Sequence, residues 1–218
     1  MAIVERVASD RRFLLRGVPW QTYLSLREAP ENHHLRMTYD RGDLEMMSPS
    51  AWHERLGYVI GRLIDVWTVE LNIDVQSCRT MTFKREDLDR GLEPDNCYYV
   101  KHEPLVWDKV DLDLSVDPPP DLAIEIELGG GEVSKMDLYA AFGVPEVWRF
   151  DGETLQVCAL GADGRYAPRD SSLSFARLPL DEIQRLLRQV GSVRETALVR
   201  SFRDWVRANI VPTMKPDP

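Results

Sequence analysis

The chain has 218 residues, of which 44% are hydrophobic and 29% are charged, a composition typical of a globular protein rather than a disordered, collagen-like or membrane protein. Its net charge of -9 has the wrong sign for binding nucleic acid through bulk electrostatics, because phosphates are neutralised by clustered Lys and Arg. Any contact with nucleic acid must therefore be local or mediated by a metal ion.

The N-terminal segment differs from a secretion signal. It carries charges where a signal peptide needs an apolar run, at Glu5, Asp10, Arg11 and Arg12. No apolar run approaches the roughly 20 residues that a membrane helix needs, so we expect a cytoplasmic protein. Further along, Pro19 is a suitable first helical residue, and the apolar residues after it predict a short helix over about 19–28.

A hairpin and a long helix are predicted next. Residues 35–47 form two strand-like runs on either side of the turn signal Asp40-Arg41-Gly42. Ser50 is a candidate N-cap, and apolar residues recur at the spacing of one helix face over about 51–71. His53 lies in the first turn on that apolar face. It either lines a site or is a buried histidine at the edge of the core.

The middle of the chain predicts two strands separated by polar segments. We expect the first strand over 73–84. Asp95 stands at the start of the second, after Pro94 and before the aromatic run 98–100. The stretch 101–117 is acidic and irregular, and a run of three prolines then precedes the next element.

The segment from Asp121 to Leu128 carries the clearest pattern in the chain. It alternates with period two, so that one face is apolar and the other consists of Asp121, Ala123, Glu125 and Glu127. Three glycines end this strand, and a helix is predicted over about 132–142. Lys135 and Tyr139 lie on one face of that helix because they are four residues apart.

The C-terminal third predicts a β-meander and two helices. Asp151-Gly152 and Asp163-Gly164 are tight-turn signals between strand-like runs at 145–150, at 154–160 and from Tyr166. Helical patterns cover about 181–190 and 194–209. We expect one domain over residues 1–218, with a core at 16–160, a C-terminal strand and helical appendage at 161–210, and a tail at 211–218.

The acids of the 121–128 strand define the candidate chemistry. If their face is solvated, as charged runs usually are, they have no special role. If the face is buried, mutual repulsion raises at least one pKa unless a cation compensates. Lys135 is one candidate cation, and Mg²⁺ is another, since it accepts one or two carboxylates together with water and phosphate oxygens. The alternation alone leaves both interpretations open.

Several motifs follow one another in a fixed order: the hairpin LRMTYDRGDLEMMSPS, His53 at the start of a helix, Glu93-Pro94-Asp95, the strand PPPDLAIEIE, Lys135 four residues before Tyr139, and Gly143 to Trp148. This series resembles the Uma-two family of endonucleases, a branch of the PD-(D/E)XK restriction-endonuclease-like superfamily. The likeness runs from about residue 16 to 160. Each motif alone is weak, whereas the ordered series is specific.

The resemblance implies an α/β fold of the restriction-endonuclease-like type, with a mixed sheet flanked by helices. It implies that Asp95 and Glu125 hold Mg²⁺ or Mn²⁺, with the carbonyl of Ile126 as a third oxygen ligand. The superfamily lysine is expected two residues after that glutamate, where this chain has Glu127, and in Uma-two relatives the following helix supplies it. Glu127 either adds a ligand or base, or spoils the site. The candidate catalytic residues are Asp95, Glu125, Glu127, Lys135 and His53.

The implied activity is metal-dependent hydrolysis of phosphodiester bonds, in DNA, by a homodimer. The ion polarises the phosphodiester and lowers the pKa of a water molecule, while Lys135 orients that water or steadies negative charge. Two other functions stay open. One is an inactive module on the same fold that binds nucleic acid or protein, which the acidic charge and Glu127 favour, and the other is a phosphodiesterase for small nucleotides.

Three further polar residues receive lesser roles. Asp121 follows a proline as Asp95 does, but it lies on the same strand as Glu125, and we expect it to be structural or to support the site indirectly. Arg79 and Arg149 stand on predicted strands and could contact phosphate. Exposed arginines more often serve solubility.

Overall fold

Eleven strands and five α-helices make up residues 10–214, the part of the chain that the computed structural model describes. The strands are β1 (Arg11–Leu15), β2 (Arg36–Asp40), β3 (Asp43–Ser48), β4 (Gln76–Ser77), β5 (Phe83–Arg85), β6 (Arg90–Leu92), β7 (Asn96–Tyr99), β8 (Leu122–Ile126), β9 (Glu146–Phe150), β10 (Leu155–Leu160) and β11 (Tyr166–Arg169). The helices are α1 (Trp20–Glu28), α2 (Ala51–Glu70), α3 (Lys135–Phe142), α4 (Leu180–Leu187) and α5 (Glu195–Asn209). Glu5 and the last four residues of the expected tail lie outside the described residues. No helix within 10–214 is long and apolar enough to cross a membrane.

The strands form two sheets. One is antiparallel throughout, in the order β1-β3-β2-β6-β5, and the other has the order β11-β10-β9-β8-β7-β4. In the second sheet β8 and β9 run parallel, whereas the other neighbours are antiparallel. The predicted hairpin is β2–β3 and the predicted meander is β9–β10–β11, so both are confirmed. The expected α/β fold, with a mixed sheet flanked by helices, is confirmed as well.

The long helix α2 forms as its cap and apolar spacing predict. The Ser50 hydroxyl oxygen accepts a hydrogen bond from the backbone N–H of His53 at 3.2 Å. The apolar stripe of α2 is buried in one cluster with side chains of β8, α4 and α5. Gly57 allows a close approach to the sheet, since a Cβ there would lie 3.8 Å from Cγ1 of Ile126 and 4.0 Å from Cβ of Asp95. The first turn of α2, with His53, is thereby fixed beside the candidate carboxylates.

Strand β8 is buried on both faces. Its residues Leu122, Ile124 and Ile126 belong to the cluster around α2. Ala123 belongs to a second cluster, which includes Leu138 and Tyr139 of α3. Because side chains alternate along a strand, Glu125 shares the face of Ala123 and is directed towards α3.

The single strand predicted over 73–84 is wrong. The segment contains two short strands, β4 and β5, which pair with β7 and β6 in different sheets. Between them Arg79 has a φ of +46°, in the left-handed region that ends extended structure. The chain therefore crosses from one sheet to the other at Arg79, and the prediction that Arg79 lies on a strand is also wrong.

Candidate active site

Glu125 is the buried centre of the candidate site, with an exposed fraction of 1%. The Lys135 ammonium lies 2.6 Å from Oε2 of Glu125, and the Tyr139 hydroxyl donates a hydrogen bond to Oε1. Helix α3 begins at Lys135 with Ser134 as its N-cap, so Lys135 and Tyr139 face β8 together. The alternative of a solvated acidic face is wrong for Glu125, and Lys135 is the compensating cation.

Asp95 is held against the same strand from the other side. It immediately precedes β7, and its backbone N–H donates to the carbonyl of Ile124 at 3.1 Å. The backbone N–H of Ile126 donates in return to Oδ2 of Asp95 at 2.8 Å. These two bonds lie on either side of Glu125 in sequence, so the two carboxylates expected to share an ion are carried by one locally rigid unit.

His53 bridges Asp95 to a second carboxylate, that of Asp10. Its Nδ1 lies 2.9 Å from Oδ2 of Asp10, whose Oδ1 accepts a hydrogen bond from the backbone N–H of Ser50 at 2.8 Å. Its Nε2 lies 2.8 Å from Oδ1 of Asp95. That second contact is an ion pair when the imidazole is protonated. Neither atom has another hydrogen-bond partner within residues 10–214, so each depends on this contact.

The charged groups in this cluster shift one another's pKa values. Burial raises the pKa of the Glu125 carboxyl to about 7, against the opposing effect of Lys135. Burial would also raise the pKa of Asp95, but His53 and the charge of Lys135 outweigh it and hold that pKa below its ordinary value.

The pKa values of the two basic groups in the cluster are raised, whereas burial usually lowers the pKa of a basic group. Burial alone would lower the pKa of Lys135, yet Glu125 and Asp95 raise it above its ordinary value. Burial would likewise lower the pKa of His53, and its contacts with Asp95 and Asp10 raise it. Lys135 therefore stays protonated at neutral pH, which keeps a positive charge inside the site.

Glu127 is separate from this cluster. Its carboxylate forms two hydrogen bonds with the Arg149 guanidinium, from Nε to Oε1 at 2.9 Å and from Nη2 to Oε2 at 2.6 Å. Both residues are partly exposed. The charge of Glu127 is therefore neutralised by Arg149, and the candidate phosphate contact Arg149 is already engaged by a carboxylate.

Asp121 also lies apart from the cluster. Its Oδ2 accepts hydrogen bonds from the backbone N–H groups of Val100 at 2.8 Å and His102 at 2.9 Å. Its Oδ1 lies 2.7 Å from Nδ1 of His102. Asp121 thus fastens the turn after β7, which in turn fixes the strand that follows Asp95.

Two clefts reach the cluster. The first, which we call the lysine cleft, has a volume of about 240 Å³ and is lined by Glu125, Ile126, Glu127, Lys135 and Arg149 together with the glycine loop after β8. The second, the histidine cleft, has a volume of about 370 Å³ and is lined by His53 and Asp95 together with residues of α2 and the Arg79 turn. Glu125 therefore lines the lysine cleft and Asp95 the histidine cleft.

Two features of the site were missed from the sequence. Asp10 appeared only as a charge near the N-terminus, although it binds His53. Glu45 appeared only within the hairpin, yet it is buried, pairs with Arg12 at 2.7 Å and accepts the backbone N–H of Glu132 at 2.6 Å. Glu45 thus anchors the glycine loop that lines the lysine cleft. Contacts this distant in sequence leave no local pattern.

Comparison with known proteins gives a family and a distant structural likeness. The family model described as "Uma2: Putative restriction endonuclease" matches residues 20–190. No curated protein matches the chain. A solved structure of a "putative nuclease belonging to DUF820" from Anabaena variabilis ATCC 29413 is similar over 84% of this chain and 98% of that chain, with 14% identity and a TM-score of 0.48.

Proposed function

This chain belongs to the Uma2 family, as its sequence motifs predicted, and from that premise we propose that it is a divalent-metal-dependent endonuclease that hydrolyses phosphodiester bonds in DNA. The observation that carries the proposal is the cluster of two buried carboxylates, Asp95 and Glu125, with the partly buried Lys135. Two carboxylates at adjoining strands, with a lysine of the following helix against one of them, are costly to bury unless they have a function. The cluster supports assignment to the PD-(D/E)XK type.

The donors in the cluster fit a divalent ion that takes oxygen ligands. Oδ1 of Asp95 is buried, and its polar contact is Nε2 of His53 at 2.8 Å, which leaves a second lone pair of this oxygen for an ion. Both oxygens of Glu125 are engaged by Lys135 and Tyr139. Within residues 10–214 no three His, Cys, Asp or Glu side chains stand together as a complete metal site. Mg²⁺ and Mn²⁺ tolerate this shortage, because water and substrate phosphate supply their remaining ligands.

We assign the residues as follows. Asp95 and Glu125 hold the ion, with the carbonyl of Ile126 as the third protein oxygen. A bound divalent ion supplies Lewis-acid polarisation of the phosphodiester and lowers the pKa of water. Lys135, kept protonated by its carboxylate neighbours, steadies negative charge that develops on the phosphate. Tyr139 fixes one oxygen of Glu125 and leaves the other to Lys135.

His53 and Glu127 take supporting places in this proposal. Asp10 holds Nδ1 of His53 and so presents Nε2 to Asp95, where the imidazole can hold or pass a proton. Glu127 lines the lysine cleft beside the cluster, paired with Arg149, and any direct role needs that pair to open. We place the homodimer with the same proposal, because duplex cleavage by this kind of fold generally uses two active sites, and we propose a cytoplasmic location as well.

Metal dependence tests the function directly. With supercoiled plasmid as substrate, we expect nicking in Mg²⁺ or Mn²⁺ and none after treatment with EDTA, with activity restored by added metal. Ca²⁺ serves as a control for binding without turnover. Plasmid nicking that continues in EDTA contradicts the metal site. Plasmid binding with no cleavage in either metal favours instead an inactive binding module on the same fold.

A further inference from the structure

The histidine cleft is lined by two buried polar side chains of the candidate site, His53 and Asp95. Nε2 of His53 and Oδ1 of Asp95, which lie 2.8 Å apart and have no other hydrogen-bond partner within residues 10–214, belong to residues that line it. A carboxylate oxygen has two lone pairs, so Oδ1 of Asp95 can accept from a ligand or water as well as from His53. The cleft therefore leads from solvent to the His53–Asp95 pair.

The charges around this cleft favour an anion. Its two outer carboxylates are already neutralised, Glu54 by Arg36 at 3.1 Å and Glu195 by Arg62 at 2.7 Å. The other two cations of the lining, Arg55 and Arg79, have no carboxylate within ion-pair distance among residues 10–214. The guanidinium of Arg55 rests 5.9 Å from the ring centroid of Trp52, a contact that leaves its hydrogen-bond donors free. Two unpaired arginines thus stand in a protein of net charge -9.

The position of these arginines suits a chain-like ligand. Arg55 extends from the first turns of α2, and Arg79 from the turn between the two sheets, where its φ of +46° holds a long side chain in a strained backbone conformation. Tyr58, one turn after Arg55, has 49% of its surface exposed and lies on the same lining. Two positively charged side chains beside an exposed aromatic ring are typical of surfaces that bind a nucleic-acid strand.

We propose that the histidine cleft is the strand-binding groove of the enzyme, in which Arg55 and Arg79 contact backbone phosphates next to the one cleaved and Tyr58 stacks on a base. This inference rests on the proposed function and names the residues that position its substrate. It also resolves the conflict with the acidic charge, because the phosphate contacts are local. Guanidinium groups suit this role since they can bind phosphate through two donors at once.

A binding measurement tests the groove without relying on cleavage. The Glu125→Gln variant serves as the uncleaving background, and fluorescence anisotropy is measured with labelled single-stranded DNA, duplex DNA and RNA oligonucleotides. Adding Arg55→Gln and Arg79→Gln is expected to weaken binding at least about tenfold and to lower the salt slope by about 1 for each arginine. Neither side chain has a hydrogen bond to another residue within 10–214, so the fold should be retained, which thermal unfolding checks.

A matched control removes two positive charges at β11, the edge strand farthest from β4 in the second sheet. Arg165→Gln with Arg169→Gln, exposed at β11, is expected to leave affinity and salt slope nearly unchanged. Equal weakening by both double variants, or none by the Arg55 and Arg79 pair, overturns the groove even if the protein cleaves DNA. Selective weakening by the Arg55 and Arg79 pair in a protein that never cleaves supports the groove and refutes the nuclease. The oligonucleotide that binds most tightly identifies the nucleic acid.

Discussion

Glu125→Gln is expected to reduce plasmid nicking at least about 10³-fold. The amide keeps the shape of the side chain but removes the charge that holds the ion, and the loss of several kcal/mol of transition-state stabilisation corresponds to about tenfold for each 1.4 kcal/mol. Nicking is measured under single-turnover conditions in Mn²⁺, so that product release does not mask the loss. Circular dichroism establishes that the variant is folded.

The control for Glu125 is an exposed glutamate with the same change. Glu153 lies in the turn between β9 and β10 and is far more exposed than Glu125. The Glu153→Gln variant is expected to cleave plasmid at the rate of the unmodified protein. If the folded Glu125→Gln variant nicks plasmid at an unreduced rate, Glu125 is not catalytic. If Glu125→Gln and Glu153→Gln lose activity equally, the loss of nicking is not specific to the site.

Lys135→Met is expected to reduce cleavage by about 10²–10³-fold, the range found when one group that stabilises transition-state charge is removed. It is also expected to lower the free energy of unfolding in EDTA, by about 3–5 kcal/mol where Glu125 is ionised, since that leaves a buried carboxylate without its cation. The stabilising contact with Lys135 exists only for ionised Glu125. Burial raises the pKa of Glu125 to about 7, so the stability difference between the two proteins should be larger at pH 8 than at pH 6.

Urea denaturation at both pH values measures this difference. Lys84→Met is the control, because its contact with Glu28 at 3.3 Å is exposed and such pairs contribute about 0–1 kcal/mol. We expect its effect to be small and nearly the same at both pH values. A stability difference for Lys135→Met that shrinks as pH rises contradicts the assignment of Lys135 as the partner of ionised Glu125.

The local sequence pattern predicted the elements in which each face has the same surroundings along its whole length. The apolar stripe and Ser50 cap predicted α2, and the turn signals predicted the β2–β3 hairpin and the meander. The four-residue spacing of Lys135 and Tyr139 predicted that both side chains share a face, and they bind the same carboxylate. In these cases the sequence neighbours are also spatial neighbours.

Pattern failed where the environment changes within a few residues or comes from far along the chain. The segment 73–84 has strand-like composition, but Arg79 turns it from one sheet to the other, and no periodicity marks the turn. Asp10 meets His53 across 43 residues, and Glu127 meets Arg149 across 22, because the sheets bring them together. The pairing of Glu127 explains how an extra acid beside the site is tolerated without a metal or a buried charge.

A crystal of the protein soaked in Mn²⁺ tests the central claim most directly, because anomalous scattering locates the ion independently of activity. We expect one peak with carboxylate oxygens of both Asp95 and Glu125 at about 2.0–2.3 Å and with Lys135 facing it. An anomalous peak away from these two carboxylates, or no peak while the protein cleaves DNA in the same Mn²⁺ concentration, contradicts the account.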